Sequence, residues 1–335
     1  MVKKYLWRHP SGRIYFRKTG MKLIRIEADE GTEAFDRQYW EILTGKRFEA
    51  KTSWAALMDN YRTSDRWNSL KPRTRRDYDK VMDYLREKIG TRDVKALKRS
   101  DVISAQKANA HRTRFANYIP QMLIVLCEHA IDLGWIEHNP AKGVRALKTP
   151  TERKRVHVPW PDWAMEKFRA EANPLPLLIF EIGIGTIQRP GDWVDFNWND
   201  YDPAGVGTLR LRQNKTDKPL LLPCTTHLKA ALDRAKAELG VVPFGASPIL
   251  RNRDGNRLSY GTMSDLMLKE RKRLGLEAYD LHAMRYRGVM DLAWADCNDD
   301  QIMAYSGHAS KKMVIKYAGE ARQITQARQA RGKRE

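Results

Sequence analysis

The sequence predicts a mainly α protein with a small β-sheet, built as a helical middle domain followed by a mixed α+β domain. Two observations predict this. Apolar residues recur at helical spacing over most of residues 50–147, as in Tyr78, Val81, Met82, Leu85 and Ile89. Residues 156–335 carry seven further helical stretches, at 161–171, 176–187, 225–239, 260–274, 282–295, 299–306 and 309–317. Strands there are confined to 207–212 (GTLRLR) and 219–222 (PLLL), around the turn Asn214-Lys215-Thr216-Asp217.

Taken in order, residues 1–48 read as a small module. Tyr5-Leu6-Trp7 and Ile14-Tyr15-Phe16 flank the turn former His9-Pro10-Ser11-Gly12, which predicts a hairpin. Thr32 then caps a helix with Phe35, Tyr39, Ile42 and Leu43 on one stripe, and Gly45 ends it. So small a unit is expected to lack a core of its own and to pack on something else or on DNA. Residues 49–147 form the helical domain. Thr74 is expected to start one helix and Ser100 to cap another, and residues 121–136 make a strongly apolar helix closed by Gly134 and Asn139-Pro140. Lys142–Arg155 has six basic residues and little periodicity, so a basic linker is expected, with 148–155 as its span after the helical domain ends at 147. Residues 156–335 form the mixed domain, and the last residues make a basic helix or tail.

Composition narrows the function classes. The 335 residues are 42% apolar and 30% charged, with mean hydropathy −0.65, and no apolar run approaches the roughly 20 residues of a spanning helix. Glu181 interrupts the richest stretch, Leu175–Gly185. The start, MVKKYLWRHP, lacks the apolar core of an export signal. Cys127, Cys224 and Cys297 are too far apart for a CxxC metal site and make no disulfide framework, which suits a reducing cytoplasm. Sixty-one Lys and Arg against 41 Asp and Glu give a net charge of +20, which points to a polyanionic partner. The middle segment, residues 49–154, carries the largest share of that charge, +9, and within it Lys71–Arg114 has 14 basic and six acidic residues. Arg73, Arg75, Arg76, Lys80, Arg112, Arg114, Lys142 and Arg145 are therefore candidate phosphate contacts.

Four segments of the mixed domain carry chemistry. They are Gly185-Thr-Ile-Gln-Arg189-Pro-Gly-Asp192, followed by Phe196-Asn-Trp198-Asn-Asp200; Gln213-Asn-Lys215-Thr216; Leu281-His282-Ala-Met-Arg285-Tyr-Arg287; and Ser306-Gly307-His308-Ala-Ser310, with Tyr317 nine residues after the histidine. In content, order and spacing they resemble the tyrosine recombinase (phage integrase) family. Residues 121–147 resemble the end of that family's helical core-binding domain. The departures are Pro190 after the first arginine, Met284 and Ser306 at positions where leucine is usual, and Tyr286-Arg287 for Arg-Thr.

The resemblance implies a SAM-like core-binding domain and a tyrosine-recombinase catalytic domain that close as a C-shaped clamp on DNA. It further implies a site-specific recombinase that cuts and rejoins strands through a covalent 3′-phosphotyrosine and a Holliday junction. Tyr317 would be the nucleophile. Arg189 and Arg285 would clamp the phosphate with their planar forks, Lys215 would protonate the leaving oxygen, and His282 and His308 would hydrogen-bond the phosphate and assist proton transfer. Asp192 reads as an orienting group. No cofactor or metal is called for, because arginines take the metal's place. Expected partners are double-stranded attachment-site DNA, three further copies of the chain in a tetramer on DNA, and a directionality or bending factor. A free monomer stays open, as does arm-site binding by residues 1–48, and the expected location is a prokaryotic cytoplasm at the nucleoid. Three other readings stand beside this one. They are a type IB topoisomerase, a DNA-binding protein without catalysis, and a metal-dependent nuclease using Asp192, Asp195, Asp200 and Asp202.

Overall fold

The computed structural model describes residues 3–45, 52–153, 157–240 and 247–334, and the chain divides into two compact units, 1–154 and 155–335. The boundary expected at 48–49 and the linker's end at 154–155 lie outside the described residues. Among the described residues no helix is long and apolar enough to cross a membrane.

In the first unit, β1 (Leu6–Arg8), β2 (Ile14–Phe16) and β3 (Ile24–Ile26) form an antiparallel sheet, with Leu6 opposite Phe16 and Ile14 opposite Ile26. The third strand goes beyond the expected hairpin, because the three residues Ile24–Ile26 give too short an alternation to read. Helix α1 (Glu33–Thr44) follows, its first turn capped by the Thr32 hydroxyl, which accepts from the Phe35 N–H. Phe16, Ile26, Phe35 and Tyr39 bury one another. The expectation that this module lacks a core is thus corrected: the added strand closes a small one.

Helices α2 (Trp54–Thr63), α3 (Asp65–Asn68), α4 (Pro72–Ile89), α5 (Arg99–Ala108) and α6 (Thr113–Asp132) complete the unit around Trp54, Leu57, Met82, Ile119 and Leu126. Helix α4 starts at Pro72, two residues before Thr74, since proline at the first position forfeits no bond. Helix α5 is capped by the Asp101 carboxylate on the Lys98 N–H rather than by Ser100. Helix α6 runs through Pro120, just before the expected start at 121; nine buried residues along it outweigh the one lost bond. Residues 142–147 are tied to the helices. Arg99 donates to the Lys142 and Gly143 carbonyls, Gln106 donates to Arg145 O, and the Asn117 side chain bonds both the N–H and the carbonyl of Leu147. The first part of the basic stretch is therefore packed backbone rather than linker.

The second unit holds α7 (Asp162–Glu171), α8 (Pro174–Thr186), α9 (Pro190–Trp193), the antiparallel sheet β4 (Tyr201–Asp202), β5 (Thr208–Arg212) and β6 (Pro219–Pro223), then α10 (Thr226–Leu239), α11 (Tyr260–Arg273), α12 (Leu281–Trp294), α13 (Asp299–Ser306) and α14 (Lys311–Arg334). Helix α8 is apolar on all sides and therefore central, packing against α10 and α12. Its Gly183 and the Gly288 of α12 make that approach possible. A Cβ on Gly183 would meet Met284 Sδ at 2.6 Å, and one on Gly288 would meet Ile187 Cγ1 at 2.7 Å. Helix α14 extends well past residue 317, so most of the expected tail is regular helix.

Candidate active site

The first arginine is set by an unusual helix end. Helix α8 stops at Ile187, a β-branched residue held at φ 57°. Such a conformation costs energy, and here it turns the Ile187 carbonyl toward Arg285, whose Nη1 donates to it at 2.6 Å. Arg189 follows, and Pro190 sits at the first position of α9, where its ring fits. The buried Asp192 carboxylate accepts from the Arg189 N–H at 3.3 Å and the Asn214 N–H at 2.8 Å. Burial raises its pKa, and these two bonds and the charges of Arg189 and Arg285 oppose the rise. Asp192 thus joins the arginine segment to the β5–β6 hairpin.

Asp280 caps α12, its Oδ1 accepting from the Ala283 N–H at 2.8 Å, and places His282 and Arg285 three residues apart on one face. Arg285 is 1% exposed, and its pKa is lowered to about 10 by burial and then by the Arg189 charge. His282 is lowered to about 4 by burial, then by His157 and the two arginines, while Asp280 pulls the other way. Arg287, the next basic residue, is structural. It donates to Trp160 O at 2.7 Å and pairs with Asp162 and Asp291.

Gly307 ends α13 at φ 69° and turns the chain so that His308 points inward, 2% exposed. The Ser306 hydroxyl donates to Ile302 O at 2.5 Å, so it can only accept from His308 Nδ1, 2.6 Å away. That pattern puts the ring proton on Nδ1 and leaves a lone pair on Nε2. The pKa of His308 falls to about 3 through burial, then through Arg285, Arg189, His282 and Lys218. On α14, the Tyr317 ring lies 5.1 Å from His308 and 4.0 Å from Tyr286. Burial and Tyr286 raise its pKa, with Arg285 opposing, so the free protein holds a neutral phenol.

Among the described residues, four buried side-chain polar atoms have no hydrogen-bond partner, and three of them are Arg189 Nη1, Arg285 Nη2 and His308 Nε2. Unsatisfied buried donors are costly, so the two guanidinium nitrogens mark a place shaped for an anion, and His308 Nε2 is a free buried acceptor beside them. The structure thus brings Arg189, His282, Arg285, His308 and Tyr317 within reach of one another's charges. Lys215 lies exposed on the hairpin turn between β5 and β6. Tyr305, the other tyrosine nearby, is occupied: its hydroxyl lies 2.8 Å from Gly185 O and 2.9 Å from Pro223 O.

Of the acids considered for a metal, Asp192 holds the hairpin, Asp195 pairs with Arg257 and Asn214, and Asp202 accepts from the Ala204 N–H. Of the DNA-binding candidates, Arg73, Lys80, Arg112 and Arg114 line a single cleft of about 610 Å³, where Arg112 stacks 4.5 Å from the Phe115 ring. Arg75 is differently used, its guanidinium donating to Trp67 O and Asn68 O at the end of α3. Arg76 is exposed on α4, as are Lys142 and Arg145 on their packed segment. Sequence reasoning missed the structural parts of the site. Gln188, Gln213 and Tyr286 carry no charge, although Tyr286 follows His282 by one helical turn.

Residues 165–323 match the model of the phage integrase family. That stretch of the second unit is thus a phage integrase family domain. Solved structures of integrases share the fold. A lambda integrase dimer bound to a COC′ core site is 20% identical over 94% of each chain, with a TM-score of 0.65. A lambda integrase tetramer bound to a Holliday junction is 20% identical over 92% of this chain and 97% of that one, with a TM-score of 0.65. A Tn1549 transposon integrase in complex with transposon right end DNA is 17% identical over 82% of this chain and 99% of that one, with a TM-score of 0.66. No curated protein matches this chain.

Proposed function

We propose that this protein is a site-specific DNA recombinase of the integrase type that cuts and rejoins strands through a covalent link to Tyr317. The observation that carries the reading is the trio of buried, unpartnered nitrogens on Arg189, Arg285 and His308 beside a buried tyrosine. A phosphodiester group seated there would pair with both guanidinium forks, and the charge that develops on its non-bridging oxygens would meet donors already in place. Tyr317 Oη attacks phosphorus, and its proton passes to a base; the lone pair on His308 Nε2 suits that role. The P–O5′ bond breaks, Lys215 gives the departing oxygen a proton, and the 3′ phosphate stays on Tyr317. Rejoining reverses each transfer. His282 donates to the phosphate once the anion offsets the burial that now keeps the ring neutral.

The basic cleft of the first unit supports a grip on the phosphate backbone outside the active site, with residues 1–48 as a further small DNA-binding module. Partner copies in a tetramer, attachment-site DNA and accessory factors belong to this same reading.

The test uses DNA carrying the sequences that flank the gene, with EDTA present. A covalent protein–DNA adduct that maps to Tyr317 is expected. Cleavage abolished by EDTA would favour a metal nuclease, and binding without any cleavage would favour a non-catalytic role. An adduct formed on DNA of any sequence would favour a topoisomerase.

A further inference from the structure

Two glutamines deep in the second unit do nothing in the chemistry above, yet both are completely buried. Gln213 Nε2 donates to Gln188 Oε1 at 2.6 Å and to Ser306 O at 3.1 Å, while its Oε1 accepts from the Thr216 hydroxyl at 2.6 Å. Gln188 Nε2 in turn reaches Thr186 O at 2.8 Å and Tyr305 O at 3.3 Å. Donors meet acceptors at every contact, so both amides have one orientation. Each segment joined in this way carries a catalytic candidate one or two residues on: Arg189 after Gln188, Lys215 after Gln213, and His308 after Ser306. Gly307 leaves the space, since a Cβ there would come within 2.2 Å of Gln213 Nε2.

Lysine has four rotatable side-chain bonds, and Lys215 sits on an exposed turn, so its reach depends on how the turn's root is fixed. Gln213 is that root. Its N–H donates to Lys218 O at 3.0 Å and its carbonyl accepts from the Asp217 N–H at 2.8 Å, closing the turn, while its side chain is bolted to the arginine and histidine segments. We propose that Gln213 is a positioning residue that sets the register of Lys215 against Arg189 and His308. This rests on the reading of Lys215 as the proton donor to the leaving 5′ oxygen.

The experiment compares ordinary DNA with DNA carrying sulfur at the bridging 5′ position, whose thiolate departs without an acid. For Gln213→Met, DNA affinity within about twofold of wild type is expected, with cleavage of ordinary DNA down roughly 10- to 100-fold, as an ångström of misplacement produces. On the sulfur substrate the variant should return to within a few-fold of wild type, as Lys215→Ala should, whereas Arg189→Ala should not. A merely structural glutamine would lower cleavage of both substrates alike, and that result, or no loss at all, overturns the proposal. Failure of sulfur to rescue Lys215→Ala sinks the acid assignment and this inference with it. Rescue of Lys215→Ala but not of Gln213→Met sinks the inference alone. Should Gln213→Met not fold, Thr216→Val decides: it removes only the hydroxyl bonded to Gln213 Oε1, and a several-fold loss that sulfur repairs is expected.

Discussion

Replacing Arg285 by methionine should leave the DNA-free protein as stable as wild type, or more so, while ending cleavage. Arg285 is 1% exposed, and its pKa drops from 12.5 to about 10 because burial and Arg189 disfavour its charge. At about 1.4 kcal/mol per pKa unit, the charge costs the folded state about 3 kcal/mol. Methionine removes that cost and keeps most of the length. Against the gain stands the Ile187 carbonyl, which loses its donor at a cost of about 1–3 kcal/mol. The balance is a change between zero and about 2 kcal/mol in favour of the variant. A buried arginine in a fully paired structural network would instead cost about 3–5 kcal/mol to remove. Urea denaturation without DNA measures the difference. A second arm adds sulfate, which should stabilise wild type by about 1.4 kcal/mol at ten times its dissociation constant and the variant by less. A loss of 3 kcal/mol or more in the variant, with no sulfate effect on wild type, would refute the view that this arginine is held in readiness for an anion.

Tyr317→Phe should bind DNA as wild type does and form no adduct, judged by gel shift and by denaturing electrophoresis; an adduct on Tyr305 would contradict the two carbonyls that occupy its hydroxyl. Acid should destabilise the free protein through His308. Its folded pKa of about 3 lies below the unfolded value of about 6.5, so the unfolded chain binds the extra proton as pH falls below 6.5. About 2 kcal/mol should be lost between pH 7 and pH 5 from this group, and His308→Gln should flatten that slope in pH-dependent unfolding. Removing Arg112 and Arg114 together should weaken DNA binding and reduce the salt slope by about one for each phosphate no longer neutralised, with near-normal cleavage at saturating DNA. Arg75→Ala should lower the melting temperature and leave the salt slope unchanged, since its guanidinium caps α3.

Much of the fold is legible in the sequence because helical periodicity is strong where one face is buried, as for Val81, Met82 and Leu85 on α4. Where local signals are weak, sequence and structure part. Strand β3 is three residues long, Pro120 masks the first two turns of α6, and the helical continuation past Tyr317 offers mainly polar residues. In the site, the charged and aromatic members stand out because motif order and spacing single them out. The residues that hold them do not. Gln188 and Gln213 are ordinary amides until folding brings positions 25 residues apart within 2.6 Å, and Ile187 gives no sign in sequence of its left-handed backbone. Arg75 shows the opposite failure. Nothing in its neighbourhood distinguishes it from Arg73 and Arg76, and only the end of α3 explains why its charge is turned inward.

The rings that line the site form an unbroken series. His157 lies 4.7 Å from His282, His282 5.6 Å from Tyr286, Tyr286 4.0 Å from Tyr317, and Tyr317 5.1 Å from His308. Each ring lies close enough to the next to feel its ring current, so the carbon-bound protons of His308 and Tyr286 resonate at frequencies that depend on where Tyr317 stands. Selective labelling of histidine and tyrosine would therefore turn the nucleophile's neighbours into its reporters. Departure of Tyr317 toward a phosphate would register at His308 and Tyr286 together, on uncut DNA and before any bond is made, while His157, whose ring neighbours are His282 and Tyr286, supplies the comparison signal.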